Sequence, residues 1–124
     1  MGAIQSQMIG SGLSARAVIG VCGGVADSLT AAGSASTDAL ELTLVGTHFV
    51  STTASSTGVR LPSGMNPGEG MELFNGGAST LTVYPPAGGT LNNLSANSGF
   101  SVATLKSAVI RCINPLKFFI MLGA

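Results

Sequence analysis

GMELFNGGASTLTVYP, residues 70–85, places two runs of strand-forming residues on either side of Asn75-Gly76. The second run alternates apolar and polar residues, so that Leu81 and Val83 fall on one face of a strand. An Asn-Gly pair is the strongest short signal for a β-hairpin. The stretch therefore predicts two neighbouring antiparallel strands joined by a tight turn.

Short runs of the same kind follow one another from residue 39 to the C-terminus. They are ALELTLV (39–45), THFVSTT (47–53), GVRLP (58–62), GMELFN (70–75), STLTVYP (79–85), FSVATL (100–105), SAVIRCI (107–113) and LKFFIML (116–122). About eight short strands separated by turn residues are typical of a sandwich or a barrel. The sequence predicts an all-β fold, namely an antiparallel β-sandwich or barrel, jelly-roll-like or related.

Two of these segments allow more detailed predictions. In SAVIRCI one face holds Ala108, Ile110 and Cys112, and the other holds Val109, Arg111 and Ile113. Because a charged side chain is rarely buried without a partner, we expect Arg111 near a strand end or at a contact surface. Before GMELFN, the sequence NPG suits a type II turn with Pro67 and Gly68 at its two central positions.

The first 36 residues differ from the rest of the chain. Glycines interrupt short apolar runs, and charged residues are almost absent. Such a segment cannot bury itself alone, yet it lacks the polar composition of a disordered tail. We therefore predict an extended N-terminal arm over residues 1–36 that lies along a neighbouring molecule, followed by the β-domain over residues 37–124.

The composition indicates a subunit of an assembly. Only 8% of the 124 residues are charged, against about 25% in ordinary soluble proteins, and the formal net charge is zero. A neutral surface does not repel its own copies. It also lacks the basic patch that nucleic-acid binding requires, so no nucleic-acid partner is expected. Neither a signal peptide nor an apolar run of about 18 residues is present, so no membrane partner is expected.

The sequence predicts no catalytic, cofactor-binding or metal-binding residues. His48 is the one histidine of the chain, and no GxSxG motif or carboxylate at a motif spacing accompanies it. Glu69 and Glu72 lie three residues apart, hence on opposite faces of a strand, which does not suit a glycosidase pair. A small hydrolase that uses His48 and a serine is kept only as an alternative.

The two cysteines, Cys22 and Cys112, leave two interpretations open. Their wide separation matches no metal-binding or redox motif. Two buried apolar side chains are one interpretation, and a disulfide between the N-terminal segment and a C-terminal strand is the other.

From Ala39 to Leu122 the chain resembles a β-domain of small structural proteins of tailed bacteriophages, which serve in head decoration, in head fibres or near the tail. The resemblance lies in STGVRLPSG (56–64), in GEGMELFNGGASTLTVYPPAGGTLNNLSANSGFSV (68–102), and in the short strand pair that follows. These motifs consist of strand and turn residues rather than of a reactive site. The resemblance implies a component of the virion.

On this basis we expect a capsid decoration (cement) protein that is made in the cytoplasm of the host bacterium. It would bind the outer head surface and clamp neighbouring subunits of the major capsid protein. Homo-oligomers are expected, with trimers as the first choice and dimers as the second. The alternative is a tail, head-fibre or adaptor module that binds a receptor or a glycan.

Two groups of residues are predicted to make these contacts. The residues expected to contact the capsid lie in the arm and are Ile4, Met8, Ile9, Leu13 and Arg16. The residues expected to mediate self-association lie in the C-terminal strand and are Phe118, Phe119 and Met121.

Overall fold

The computed structural model describes residues 24–123, which form ten strands and, within that range, no helix. The strands are β1 (Val25–Thr30), β2 (Leu40–Glu41), β3 (Thr47–Thr52), β4 (Gly58–Arg60), β5 (Gly70–Asn75), β6 (Leu81–Tyr84), β7 (Thr90–Leu91), β8 (Phe100–Val102), β9 (Ser107–Asn114) and β10 (Lys117–Leu122). The prediction of an all-β fold is confirmed. Strand β1 lies within the range predicted as the arm, and it belongs to a sheet of the fold.

The chain winds as a β-solenoid of three stacked coils. From β1 to β9, consecutive strands alternate between a six-stranded sheet, ordered β1-β3-β5-β9-β10-β7, and a four-stranded sheet, ordered β2-β4-β6-β8. Strands β1, β3 and β5 pair in parallel, and so do β2, β4 and β6. Each coil therefore contributes one strand to each sheet and lies directly on the coil before it.

The prediction of an antiparallel sandwich or barrel is wrong. The Asn75-Gly76 turn joins β5 to β6, and these two strands lie in different sheets. The turn is thus a corner between sheets and not a hairpin. The amide of Gly76 donates to the carbonyl of Val50, in the previous coil, at 2.8 Å. Alternation and turn residues identify strands and corners, but they are the same whether a strand pairs with its sequence neighbour or with the next coil.

The side chain of Asn75 holds this corner from the inside. It is fully buried. Its Oδ1 accepts hydrogen bonds from the hydroxyl of Thr53 at 2.8 Å and the amide of Gly77 at 3.0 Å. Its Nδ2 donates to the carbonyls of Ser79 at 2.9 Å and Val102 at 3.0 Å. The amide thereby connects two successive coils and β8, with both of its polar atoms satisfied.

The core lies between the two sheets and runs the length of the stack. Residues at equivalent positions of successive coils face one another, as Val50 does with Asn75 and Val59 with Val83. The fully or almost fully buried apolar residues are Ala31, Leu42, Val50, Val59, Leu61, Met65, Met71, Leu73, Leu81, Val83, Leu91, Val102, Ala108, Ile110, Cys112, Phe118 and Ile120. The two sheets pack together along every coil. Each of these side chains is therefore buried partly by the coil before it and partly by the coil after it.

The C-terminal end of the stack is closed by chain reversal. Strand β9 runs antiparallel to β5, β10 antiparallel to β9, and β8 antiparallel to β6. Beyond β7, the side chain of Asn92 takes the place of a strand along β10. Its Nδ2 donates to the carbonyl of Ile120 at 3.1 Å, and its Oδ1 accepts from the Ile120 amide at 2.9 Å. The Asn92 side chain thus leaves fewer unpaired main-chain N–H and C=O groups on this edge of the sheet. Unpaired groups at a sheet edge invite pairing with other chains.

The opposite end of the stack is open over residues 24–123. There β1 pairs only with β3, and β2 only with β4. The inward-facing residues Leu29 and Leu40 are half-buried, whereas their partners in the next coil, Val50 and Val59, have no exposed surface. The core therefore reaches solvent at this end of the described chain.

The predicted type II turn at Pro67-Gly68 and the predicted alternation in SAVIRCI are confirmed. Gly68 has a positive φ of 88°, and the amide of Glu69 donates to the carbonyl of Asn66 at 3.0 Å, as a type II turn requires. In β9, Ala108, Ile110 and Cys112 are buried, while Arg111 and Ile113 are exposed.

Replacing Asn75 with alanine tests the role of the buried amide. Asn75→Ala leaves the Thr53 hydroxyl, the Gly77 amide and two carbonyls without these partners, so we expect the free energy of unfolding to fall by about 3 kcal/mol. Urea unfolding followed by circular dichroism measures the change. The matched control is Asn93→Ala, whose side chain is exposed and whose loss we expect to cost less than about 0.5 kcal/mol. Equal effects of the two substitutions would contradict this role.

Candidate interaction surface

The outward side of the six-stranded sheet carries a band of apolar side chains, which we call the outer face. It comprises Phe49 of β3, Phe74 of β5, Val109 of β9, and Phe119 and Met121 of β10, together with the charged residues Glu72 and Arg111. Half of the Phe119 side chain (50%) and of the Met121 side chain (55%) is exposed, as is 37% of Phe49. Apolar side chains that adjoin one another on a surface mark interaction sites more often than isolated ones do.

Strand pairing makes this band continuous. Glu72 lies opposite Val109, and Val109 lies opposite Met121. Two residues beyond Glu72 along β5, Phe74 lies opposite Phe49 of β3. The rings of these two residues stack, with centroids 5.4 Å apart and planes 17° from parallel. Neighbouring strands in a sheet are about 4.8 Å apart. The outer face therefore spans the four adjacent strands β3, β5, β9 and β10.

Two opposite charges stand in the middle of the outer face without pairing to each other. Arg111 lies opposite Gly70, and Glu72 is two residues further along β5, so the two side chains are diagonal neighbours. Arg111 donates from Nη1 to the carbonyl of Gly68 at 3.1 Å. Within residues 24–123 the one salt bridge joins Arg60 and Glu41 at 3.4 Å, on the four-stranded sheet. Glu72 and Arg111 thus remain exposed charges of opposite sign.

Of the three residues predicted for self-association, one points into the core and two point outward. Phe118 has 1% of its surface exposed and belongs to the core, because it alternates along β10 with the outward Phe119 and Met121. Phe118 cannot reach another molecule without opening the sheets. The self-association prediction therefore now depends on Phe119 and Met121. Arg111, expected near a strand end or a contact surface, lies on the outer face within β9.

Sequence reasoning missed Phe49 and Phe74 as members of this surface. They are 25 positions apart in the chain and meet only because β3 and β5 pair in parallel. Each residue is a single outward aromatic side chain in its own strand, which by itself is unremarkable. The missing signal was the parallel pairing.

The residues predicted for capsid contact lie outside the described residues, as does Cys22. They are Ile4, Met8, Ile9, Leu13 and Arg16. The described chain begins at Gly24, whose carbonyl accepts a hydrogen bond from the amide of Thr47 at 2.8 Å. The first described residue thus directly precedes β1, the edge strand at the open end of the stack.

His48 lies inside the coil stack rather than in a cleft. Its side chain has no exposed surface, and its Nε2 is 3.0 Å from the carbonyl of Thr43, while Nδ1 has no hydrogen-bond partner. Burial lowers the pKa of His48 because it disfavours the charged imidazolium, and the hydrogen bond to Thr43 opposes this shift. A general base has to reach its substrate. The placement of His48 gives the hydrolase alternative no support.

Other reactive groups of the described chain are scattered. Cys112 is buried, with its Sγ 3.2 Å from the carbonyl of Asn114, and burial together with the charge of Glu69 raises the pKa of its thiol. Residues 24–123 contain no group of three His, Cys, Asp or Glu side chains that could hold a metal ion. Nor does this part of the chain form a helix able to cross a membrane.

Comparisons with known proteins found no matching protein family, no matching curated protein and no matching solved structure. The chemistry of the surface is therefore the basis for proposing a function.

The buried histidine predicts a pH-dependent stability. The pKa of His48 is lowered in the folded chain, so the unfolded chain binds more protons as the pH falls below about 6.5. The free energy of unfolding should be highest above that pH and decrease by up to about 2 kcal/mol by pH 5. Urea titrations at several pH values measure this decrease.

The variant His48→Gln removes the one histidine of the chain and keeps a hydrogen-bond donor for Thr43. Between pH 7.5 and pH 5 its free energy of unfolding should change less than that of the unsubstituted chain. The same slope in both proteins would show that other groups cause the pH dependence.

Proposed function

We propose that this protein is a structural component of a virion, a capsid decoration protein that binds the outer head surface and clamps neighbouring major capsid subunits. The observation that supports it best is the outer face, which presents Phe49, Phe119 and Met121 to solvent on a chain with a net charge of zero. Such a surface is suited to a permanent contact rather than to solvation.

The form of the fold also supports a mechanical role. Each coil is hydrogen-bonded to the next along both sheets, so a load applied at one end of the stack is shared by many main-chain bonds. A clamp has to contact at least two neighbours. The open end at β1 and β2 and the outer face are separate surfaces of one body, so copies joined through their outer faces can each hold a different capsid subunit. A stable contact between proteins buries about 1,200–2,000 Å², which a sheet face combined with an extended arm can supply.

In this proposal the arm attaches the protein to the capsid. The apolar residues Ile4, Met8, Ile9 and Leu13, with Arg16, would contact the major capsid protein, because they precede β1 in the chain and β1 is the edge strand at the open end. The outer face of the six-stranded sheet then remains available for contacts between copies.

The alternative of a fibre or adaptor module is favoured by one feature, the open end of the solenoid. Coil stacks grow by adding further coils at an end, and β1 and β2 each have one side without a strand partner among residues 24–123. Such an end would suit attachment to a longer fibre that presents this domain to a receptor or a glycan.

The copy number of the chain in purified phage particles separates these possibilities. A decoration protein should be present in a number comparable to that of the major capsid protein, because it covers equivalent positions over the whole head. Quantitative mass spectrometry of particles with labelled standard peptides measures the ratio. A few copies per particle would favour the fibre or adaptor module, and absence from the particle would refute a virion role.

Deleting residues 2–16 tests the assignment of the arm. The shortened chain should keep its β-rich circular dichroism spectrum, since the deletion ends before the described fold, and should lose most of its binding to expanded heads in co-sedimentation. The matched control replaces residues 2–16 with a Gly/Ser segment of equal length, and it should also fail to bind. Full binding by either variant would contradict the capsid contacts assigned to the arm.

A further inference from the structure

We propose that two copies of this chain pair through their outer faces about a two-fold axis, so that Glu72 of each copy lies opposite Arg111 of the other. The inference deepens the proposed function, on whose self-associating subunit it rests, by naming a second copy as the partner of the outer face. The evidence for this pairing is the positions of Glu72 and Arg111 on the outer face and the apolar residues that surround them.

The apolar part of the outer face gives two copies a reason to associate. Phe49 and Phe74 stack at one end of the band, and Phe119 and Met121 stand at the other. Phe49, Phe119 and Met121 are exposed, and Phe74 is partly buried. Covering aromatic and methionine side chains is the main favourable term in such contacts. The formal net charge of the chain is zero, so long-range repulsion between copies is absent.

The charged part of the outer face determines which partner fits. Glu72 and Arg111 lie among apolar side chains and form no salt bridge within residues 24–123. A purely apolar partner would remove both charges from water without compensation, which is costly. A partner must therefore present one positive and one negative group at matching positions. A second copy of the same face does so.

Strand register shows that a two-fold axis can satisfy both charges at once. Glu72 on β5 and Arg111 on β9 are diagonal neighbours across one strand pair. Consider a two-fold axis in the plane between the two faces. If the axis passes midway between Glu72 and Arg111 and is perpendicular to the line that joins them, rotation about it exchanges the positions of these two residues. Each Glu72 then faces an Arg111, which makes two identical ion pairs, as an isologous interface requires.

The same axis also matches the apolar residues. From the register of β5, β9 and β10, it brings Phe74 of one copy towards Phe119 of the other, and it passes close to Val109 and Met121. The two ion pairs are thereby surrounded by apolar contacts. This arrangement favours the dimer over the trimer, because a face that pairs with itself is used up by one partner, whereas a three-fold ring joins two different patches.

Charge exchange tests the pairing in the full-length chain. Glu72→Arg and Arg111→Glu each place like charges opposite one another at both positions of the axis, so each should raise the dimer dissociation constant by at least about tenfold. The double variant Glu72→Arg/Arg111→Glu restores opposite charges and should recover most of the affinity. Sedimentation velocity over a range of protein concentrations measures the dissociation constants.

Two controls accompany the series. Lys106→Glu reverses an exposed charge in the segment between β8 and β9, away from Glu72 and Arg111, and should leave the dissociation constant unchanged. Urea unfolding of each variant monitors the fold, because Arg111→Glu also removes the hydrogen bond to the carbonyl of Gly68. Recovery in the double variant, which lacks the same hydrogen bond, separates pairing from stability.

Each other outcome overturns the pairing. A monomeric or trimeric unsubstituted chain contradicts it, and so does a dimer that the single reversals leave unaffected or that the double variant fails to restore. Binding to heads, which tests the proposed function, is measured separately by co-sedimentation. A dimer that behaves as expected but does not bind heads would refute the decoration role and leave the pairing standing.

Discussion

Parallel pairing between successive coils is the constraint on which the rest of this structure depends. Because β3 lies between β1 and β5 in parallel register, every second side chain of β3 is pressed against the core and every other one faces solvent. A slip of one residue would exchange His48 and Val50 with Phe49 and Ser51. The core and the outer face are therefore two consequences of the same register, and a change that weakens one coil contact affects both.

Two asparagine side chains, one inside the stack and one at its edge, keep that register. Asn75 joins two coils and β8 through four hydrogen bonds, and Asn92 closes the edge of β10 with its side-chain amide. A shifted register would leave these amides without their partners, which costs about 1–3 kcal/mol for each buried group left unsatisfied. Their function is structural, and they explain why a chain so rich in turn residues can adopt one arrangement.

The sequence predicted eight of the ten strands described, all but β1 and β7, and it did not predict their partners. Each of the eight predicted segments contains a strand, and the inward residues of β9 were identified correctly from alternation. Pairing was missed because Asn75-Gly76 has the same local chemistry in a hairpin and in a corner. The outer face was predicted only where it lies in β10. Its other half comes from strands distant in sequence, which composition and periodicity cannot bring together.

A surface assembled in this way has a property that a single exposed strand lacks. Phe49, Phe74 and Phe119 come from three different strands, so their spacing is set by the ladder of main-chain hydrogen bonds and not by flexible loops. Glu72 and Arg111 are held at a fixed offset by the same ladder. A partner that matches this spacing meets a preorganised surface and loses little entropy in ordering it. Rigid spacing of a few apolar groups around two opposite charges is how a nearly neutral surface can distinguish one partner from general adhesion.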